Sequence, residues 1–176
     1  MLEQKKKARA AGKFKIAADV LFTGDNNEFV GYDTLETPEA KVLALYKDGI
    51  QVESAQAGDD VLVILDKTPF YAEMGGQVGD TGVLENGTTL LQVRDCLKLK
   101  ASVLSHVAHV CEGEIKTGDT FKAVVDAKRR EAIMRNHSVT HIMHKALREV
   151  LGEHVAQKGS LVNDAVTRFD FHHDKP

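Results

Sequence analysis

The chain has little of what would mark a disulfide-stabilised or membrane-embedded protein. Its two cysteines, Cys96 and Cys111, are too few for a disulfide framework, and neither has a second cysteine at C-x-x-C spacing. No apolar run approaches the roughly 18 residues of a membrane span, and no signal-peptide pattern opens the sequence. We therefore expect a cytoplasmic protein with no membrane partner, and both cysteines as buried or half-buried strand thiols.

An excess of positive charge is also lacking. The sequence has 23 Lys and Arg against 26 Asp and Glu, a net charge of −3, so any contact with nucleic acid must use local basic patches. With 43% hydrophobic and 28% charged residues, the composition is that of an ordinary globular protein. A length of 176 residues allows one large or two small domains.

The first local basic patch lies at the start of the chain, in LEQKKKARAAGKFK. Leu2 to Ala11 are good helix formers, and Gly12 is a typical stop. Charge runs of this kind usually face solvent. The pattern predicts a charged linker helix within residues 1–24.

Short β-type runs alternate with turn residues through the next hundred or so residues, the pattern of a barrel or sandwich. Turn signals include Asp48-Gly49 and Gly118-Asp119, and Asn86-Gly87 is the clearest hairpin. The predicted strands cover residues 29–35, 41–47, 50–53, 60–65, 81–85, 88–95, 102–110 and 120–125.

One segment of this β region, DKTPFYAEMGGQVGDTG, is unusually rich in glycine. Glycines let the backbone adopt positive φ or approach a ligand closely. The segment has neither the Gly-Lys-Ser/Thr ending of a phosphate-binding P-loop nor G-x-G-x-x-G spacing. A wide turn at the mouth of a barrel and a binding loop are both consistent with it.

Two histidines share one face of a helix predicted from residue 135 onward. His137 and His141 are four positions apart, so both imidazoles can reach one divalent cation, as in H-x-x-x-H zinc motifs. His144 lies about 10 Å of axial rise beyond His137, too far to share that ion. Two ligands do not close a zinc site, and partly buried histidines on an amphipathic helix are the alternative.

The opposite arc of this helix is apolar, and we expect it to face the core. Thr140 lies at the border of the two arcs, so its hydroxyl can face whatever the histidines face. The residues of the apolar arc are Val139, Ile142, Met143, Ala146, Leu147 and Val150.

These motifs together resemble the alanyl-tRNA synthetase family. TPFYAEMGGQVGDTG, followed further along by RNHSVTHIMHKALREVLGEHVAQKGSLV, is similar to the part of the family that follows its class II catalytic and tRNA-recognition regions. The resemblance covers essentially the whole chain. Free-standing editing relatives share the glycine-rich loop and the H-x-x-x-H helix, but match less well in the surrounding residues.

The resemblance implies a β-barrel followed by a zinc-bearing α+β domain that hydrolyses tRNA(Ala) mischarged with serine or glycine. It implies His137 and His141 as zinc ligands, and Thr140 and Gln157 in selecting and clearing the wrong amino acid. Gly75, Gly76 and Gln77 match the loop that lies close to the editing pocket. The expected partner is the acceptor end of tRNA(Ala).

The family completes its metal site with a downstream Cys-x-x-x-His motif that this sequence lacks. The domain that uses ATP and Mg²⁺ to join alanine to tRNA is absent too. We therefore expect a fragment with half a zinc shell and little or no hydrolytic activity. A non-catalytic tRNA-binding barrel is the alternative. Arg135, with the basic stretch 128–130, is either a phosphate contact or part of a solvated helix start.

The expected fold is α+β, with an antiparallel β-barrel over residues 25–126. A long amphipathic helix and an incomplete editing segment, the N-terminal part of the editing domain, follow over 127–176. Beyond His154 the sequence alternates enough to begin a sheet. Three outcomes remain open for this tail: packing on the helix or barrel, poor order, or self-association with another copy through Phe169 and Phe171.

Overall fold

The computed structural model describes residues 20–99 and 102–173. Most of the linker helix predicted for residues 1–24 therefore lies outside the described residues. The elements in chain order are β1 (Glu28–Phe29), β2 (Glu36–Lys47), β3 (Ile50–Val52), β4 (Ser54–Gln56), β5 (Asp60–Leu65), β6 (Lys67–Thr68), β7 (Gly82–Glu85), β8 (Leu90–Lys98), β9 (Leu104–Glu112), β10 (Glu114–Lys116), β11 (Thr120–Val125), α1 (Ala127–Leu151), β12 (Gln157–Val162) and β13 (Thr167–Phe171).

Six antiparallel strands close into a β-barrel in the order β11-β7-β8-β9-β5-β2, with β11 pairing back onto β2. This confirms the predicted barrel and the α+β class. Alternate strand residues point inward and fill the barrel with apolar side chains, because successive side chains of a strand lie on opposite faces. The core includes Leu45, Leu65, Phe70, Leu84, Leu91 and Phe121, all fully buried or nearly so.

The hairpin predicted at Asn86-Gly87 joins β7 to β8. The Asn86 side-chain oxygen accepts hydrogen bonds from the backbone amides of Thr88 and Thr89, at 3.2 and 2.9 Å. Gly87 supplies the positive φ of 89° that the turn requires. A local turn signal was therefore sufficient to predict this connection.

The strand predicted for residues 29–35 is wrong. Only Glu28–Phe29 is a strand, and the chain then turns before β2 begins at Glu36. The carbonyl of Val30 accepts the amides of both Asp33 and Thr34, at 3.1 and 3.2 Å, which closes the turn. The turn leaves Tyr32 82% exposed.

The two cysteines lie in strands, as predicted, but the predicted burial of Cys111 is wrong. Cys96 is fully buried in β8, whereas Cys111 near the end of β9 is exposed. Burial raises the pKa of the Cys96 thiol well above its usual range. Cys96 is therefore a core residue rather than a reactive thiol.

The helix α1 begins at a capping aspartate and ends at a glycine. The Asp126 side chain accepts a hydrogen bond from the Arg129 amide at 3.0 Å, and Gly152 at the C-terminal end has a φ of 117°. No helix in the described part of the chain is both long and apolar enough to cross a membrane.

The predicted orientation of this helix is wrong. Val139, Ile142 and Val150, assigned to a core stripe, are 49%, 68% and 82% exposed. The buried positions are instead Arg130, Ile133 and Thr140. The helix packs its histidine-bearing face against β12 and β13, so polar contacts with the hairpin override the apolar periodicity.

The tail forms an antiparallel hairpin of β12 and β13 that packs on α1. It also joins the glycine-rich loop, because the Val162 amide donates to the Gly76 carbonyl at 2.7 Å and the Val78 amide donates to the Val162 carbonyl at 3.0 Å. Packing on the helix is therefore the outcome seen among the three left open. Self-association stays a prediction.

A buried histidine should make the barrel sensitive to acid. His106 is fully buried, with its Nδ1 donating to the Val63 carbonyl at 2.9 Å and the Thr68 hydroxyl donating to its Nε2 at 2.7 Å. Burial lowers the pKa of His106 from 6.5 to about 4. The unfolded chain therefore binds the proton first as pH falls, and stability present above pH 6.5 is lost progressively down to about pH 4.

The expected loss from His106 is about 3 kcal/mol in the free energy of unfolding. Chemical denaturation at several pH values measures it against His106→Gln, which does not titrate. The difference between the two proteins should shrink as pH falls across this window. A constant difference from pH 7 to pH 4 would show that His106 does not titrate differently in the folded state.

Candidate functional site

A small cavity of about 70 Å³ lies between α1, the glycine-rich loop and the β12–β13 hairpin. Most of the residues singled out in the sequence line it. The lining residues are Gly75, His137, Thr140, His141, His144, Gln157, Ser160, Val162 and Phe169. The hairpin is the element that sequence reasoning could not place, and it supplies the wall opposite the helix.

The glycine-rich loop reaches the cavity through a tight two-residue turn. Met74 and Gln77 exchange backbone hydrogen bonds of 3.0 and 3.1 Å. Gly75 and Gly76 between them have φ values of 60° and 86°, as a type I′ turn requires. The same turn forms one wall of the cavity, because Gly75 lines it. That the loop binds a ligand stays a prediction.

His137 and His141 face each other with their Nε2 atoms 3.0 Å apart. The other ring nitrogen of His137, Nδ1, lies 2.9 Å from the side-chain oxygen of Gln77, which is only 7% exposed. An amide oxygen only accepts, so Nδ1 carries the proton and Nε2 presents a lone pair. Gln77 thereby fixes the tautomer in which His137 can bind a metal through Nε2.

This pair of imidazoles fits half of a zinc site. Two nitrogens bound to one tetrahedral zinc ion at 2.0–2.1 Å would lie about 3.3 Å apart, close to the distance observed. Within residues 20–99 and 102–173, no group of three or more His, Cys, Asp or Glu side chains is placed to hold a metal ion. His173 does not turn toward the pair, because its Nδ1 lies 2.8 Å from Nε2 of His154.

The hydroxyl of Thr140 is directed by its neighbours. It donates to the Asn136 carbonyl at 2.8 Å and contacts the hydroxyl of Thr167. When its hydrogen goes to Asn136, the Thr140 hydroxyl accepts from Thr167 and has one further lone pair with which to accept a hydrogen bond from a group in the cavity. Gln157 is exposed, and its side-chain amide donates to the Ser160 hydroxyl at 2.9 Å.

His144 lines the same cavity, although sequence reasoning had set it aside. Its ring packs against Phe169 with centroids 4.9 Å apart and the ring planes tilted by 36°. Its Nε2 atom is buried and has no hydrogen-bond partner among the residues that the structure describes. Buried polar atoms are normally satisfied, so this nitrogen is available to a ligand.

A buried ion pair that the sequence did not suggest fixes the helix on the barrel. The Arg130 guanidinium binds both carboxylate oxygens of Asp80, and it donates to the carbonyls of Gly31 and Pro69 at 2.9 and 3.0 Å. Asp80 is 1% exposed and also accepts the Tyr71 amide at 2.8 Å. The partners are 50 positions apart, so no local spacing could have paired them.

Two arginines of the predicted phosphate-binding stretch 128–130 contact the protein itself rather than facing solvent. Arg130 is buried, and Arg129 donates to the Gly79 carbonyl at 2.9 Å, so both hold the helix against the glycine-rich loop. Arg135 is exposed and pairs with Glu131 at 2.5 Å, outside the cavity lining. A phosphate contact by Arg135 stays a prediction.

Comparison with known proteins places the chain in a family. Residues 1–129 match the family model of class II (A) tRNA synthetases. The whole chain is similar to alanine–tRNA ligases: it is 55% identical to that of Leptothrix cholodnii, 56% to that of Methylibium petroleiphilum and 57% to that of Delftia acidovorans. Each match covers all of this chain and 20% of the relative, so the chain spans about a fifth of their length. The chain belongs to the class II (A) tRNA synthetases.

Proposed function

We propose that this chain is a segment of an alanine–tRNA ligase and frames the site that hydrolyses tRNA(Ala) mischarged with serine or glycine. The parent would join alanine to tRNA(Ala) with ATP and Mg²⁺ in a separate catalytic domain. The observation that carries the proposal is the cavity, in which His137, Thr140 and His141 of α1 face Gln157 of β12 beside the glycine turn.

The cavity residues suit an ester that carries a small polar side chain. With its hydrogen given to Asn136 and one lone pair to Thr167, the Thr140 hydroxyl can accept one hydrogen bond from the hydroxyl of a serine side chain. Alanine has no such hydroxyl, and sites built around a polar contact discriminate against ligands that lack it. The unpartnered Nε2 of His144 offers a second polar contact within the same space.

His137 and His141 are the residues that would hold zinc, with Gln77 orienting His137. When bound, zinc supplies Lewis-acid polarisation of an ester carbonyl or of water. Two imidazoles neither hold the ion tightly nor fix its open positions. The segment by itself is therefore expected to release little serine from seryl-tRNA(Ala), and the remaining ligands would come from elsewhere in the parent.

A segment exchange tests the function. These 176 residues would replace the matching segment of the Delftia acidovorans alanine–tRNA ligase, to which they are 57% identical. The chimera should hydrolyse seryl-tRNA(Ala). His141→Ala should lower that rate by about 100-fold or more. Losing a metal ligand lowers the activity more than losing the group that hydrogen-bonds to the ligand.

The matched control is His154→Ala, an exposed histidine outside the cavity, which should leave the rate within about twofold of the parent chimera. The rate at which each chimera joins alanine to tRNA(Ala) is measured in parallel, to show that the chimera is folded. Equal hydrolysis by the His141→Ala and His154→Ala chimeras would refute the editing assignment.

A further inference from the structure

A second and larger cavity, of about 170 Å³, lies on the other side of the glycine turn. Its walls are mainly aromatic and apolar, with one cation at the rim. The lining residues are Asn27, Phe29, Tyr32, Tyr71, Ala72, Met74, Lys98, Ser102 and Leu104. Cavities of this size and character can hold one aromatic ring.

Three rings form the aromatic part of this cavity. Phe29 meets Tyr32 edge-to-face with centroids 4.9 Å apart, and it meets Tyr71 edge-to-face at 6.0 Å. Tyr32 is 82% exposed, so most of its ring is uncovered. An exposed ring beside two half-buried ones is a platform on which a flat group can stack.

The buried ion pair holds this platform in place. The Gly31 carbonyl, next to Tyr32, accepts from Arg130, and the Tyr71 amide donates to Asp80. On the far wall, Asn27 exchanges hydrogen bonds of 2.7 and 2.8 Å with the backbone of Leu104. The cavity is therefore preformed. The Arg130–Asp80 ion pair that holds the histidine-bearing helix also holds its walls.

The aromatic cavity and the histidine cavity are neighbours. Met74 lines the first and Gly75 lines the second, and consecutive Cα atoms are about 3.8 Å apart. One single-stranded ligand can therefore cross the turn and place parts in both cavities. Among residues 20–99 and 102–173, Lys98 forms no ion pair, so its exposed ammonium group is available to an anion.

We propose that the aromatic cavity binds an unpaired nucleobase near the 3′ end of tRNA while the terminal aminoacyl ester enters the histidine cavity. The proposal rests on the proposed function. A stacking platform with an adjacent cation is the combination by which proteins hold single-stranded RNA without base pairing. Tyr32 supplies the stacking surface, and Lys98 contacts the adjoining phosphate.

The first test is binding of the trinucleotide CpCpA to the purified chain, measured by NMR titration. Tyr32→Ala should weaken binding about tenfold or more, because stacking on an aromatic ring dominates such contacts. Tyr32→Phe retains the ring and should stay within about threefold of the wild type. Ile50→Ala removes a 69% exposed apolar side chain outside both cavities and should have no effect.

The outcome is separable from that of the editing assignment, because CpCpA carries no ester. In the chimera described above, Tyr32→Ala should raise KM for seryl-tRNA(Ala) more than it lowers kcat. Equal CpCpA affinities for the wild type and Tyr32→Ala would overturn the proposal.

Discussion

Replacing Arg130 with methionine is expected to lower the free energy of unfolding by about 3–5 kcal/mol, the usual cost of breaking a buried ion pair. The variant would leave the Asp80 carboxylate buried without its cation, and the carbonyls of Gly31 and Pro69 would lose their donor. Because these contacts span the barrel and the helix, thermal or denaturant unfolding should report the loss directly.

Arg135→Met is the matched control. It makes the same substitution on the same helix, but Arg135 is exposed and its ion pair with Glu131 lies at the surface, so the change should stay within about 0.5 kcal/mol. Adding Asp80→Leu to Arg130→Met should recover part of the loss, because no unpaired charge then remains buried. Equal stabilities for Arg130→Met and Arg135→Met would contradict the anchoring role.

Gly76→Ala is expected to separate the β12–β13 hairpin from the glycine turn. A Cβ atom at this position would lie 2.7 Å from the backbone oxygen of Ser160, a group that cannot simply rotate away, and φ is 86°. We expect a loss of about 2–4 kcal/mol in the free energy of unfolding, from the left-handed backbone and the clash together. Faster hydrogen exchange at the Val162 amide, which donates to the Gly76 carbonyl, should accompany it.

Gly75→Ala separates the two causes. Gly75 also has a positive φ, of 60°, but no atom of the described residues lies within 4 Å of its added Cβ, so only the backbone cost of about 1–2 kcal/mol applies. The Val162 amide should remain protected in this variant. If both alanine variants expose that amide equally, the close contact with Ser160 is not what joins the hairpin to the turn.

Local signals predicted much of the barrel. The strands predicted at residues 60–65 and 120–125 agree with β5 and β11, and the hairpin predicted at Asn86-Gly87 joins β7 to β8. The helix was also predicted, but the apolar arc through Ile142 is exposed. Periodicity shows that a helix has two faces, whereas the packing partner decides which one is buried, and that partner is the distant β12–β13 hairpin.

The candidate site shows the same limit. The spacing of His137 and His141 predicted that their imidazoles meet, because that contact lies within one turn of helix. The contacts that support it cross the fold: Gln77 reaches His137 over 60 positions. Such pairs depend on how the elements pack, which no local pattern records. Only the family resemblance connected the glycine-rich loop to the helix before the fold was known.

The most direct test of the histidine cavity is a zinc titration followed through the imidazole nitrogens by NMR. Before zinc is added, His137 should show the tautomer protonated at Nδ1, as its contact with Gln77 requires. At millimolar zinc the Nε2 resonances of His137 and His141 should shift together, and His141→Ala should abolish the shift at His137. If the His137 shift persists in His141→Ala, or if neither resonance responds in the wild type, the two histidines do not share a metal and the account is wrong.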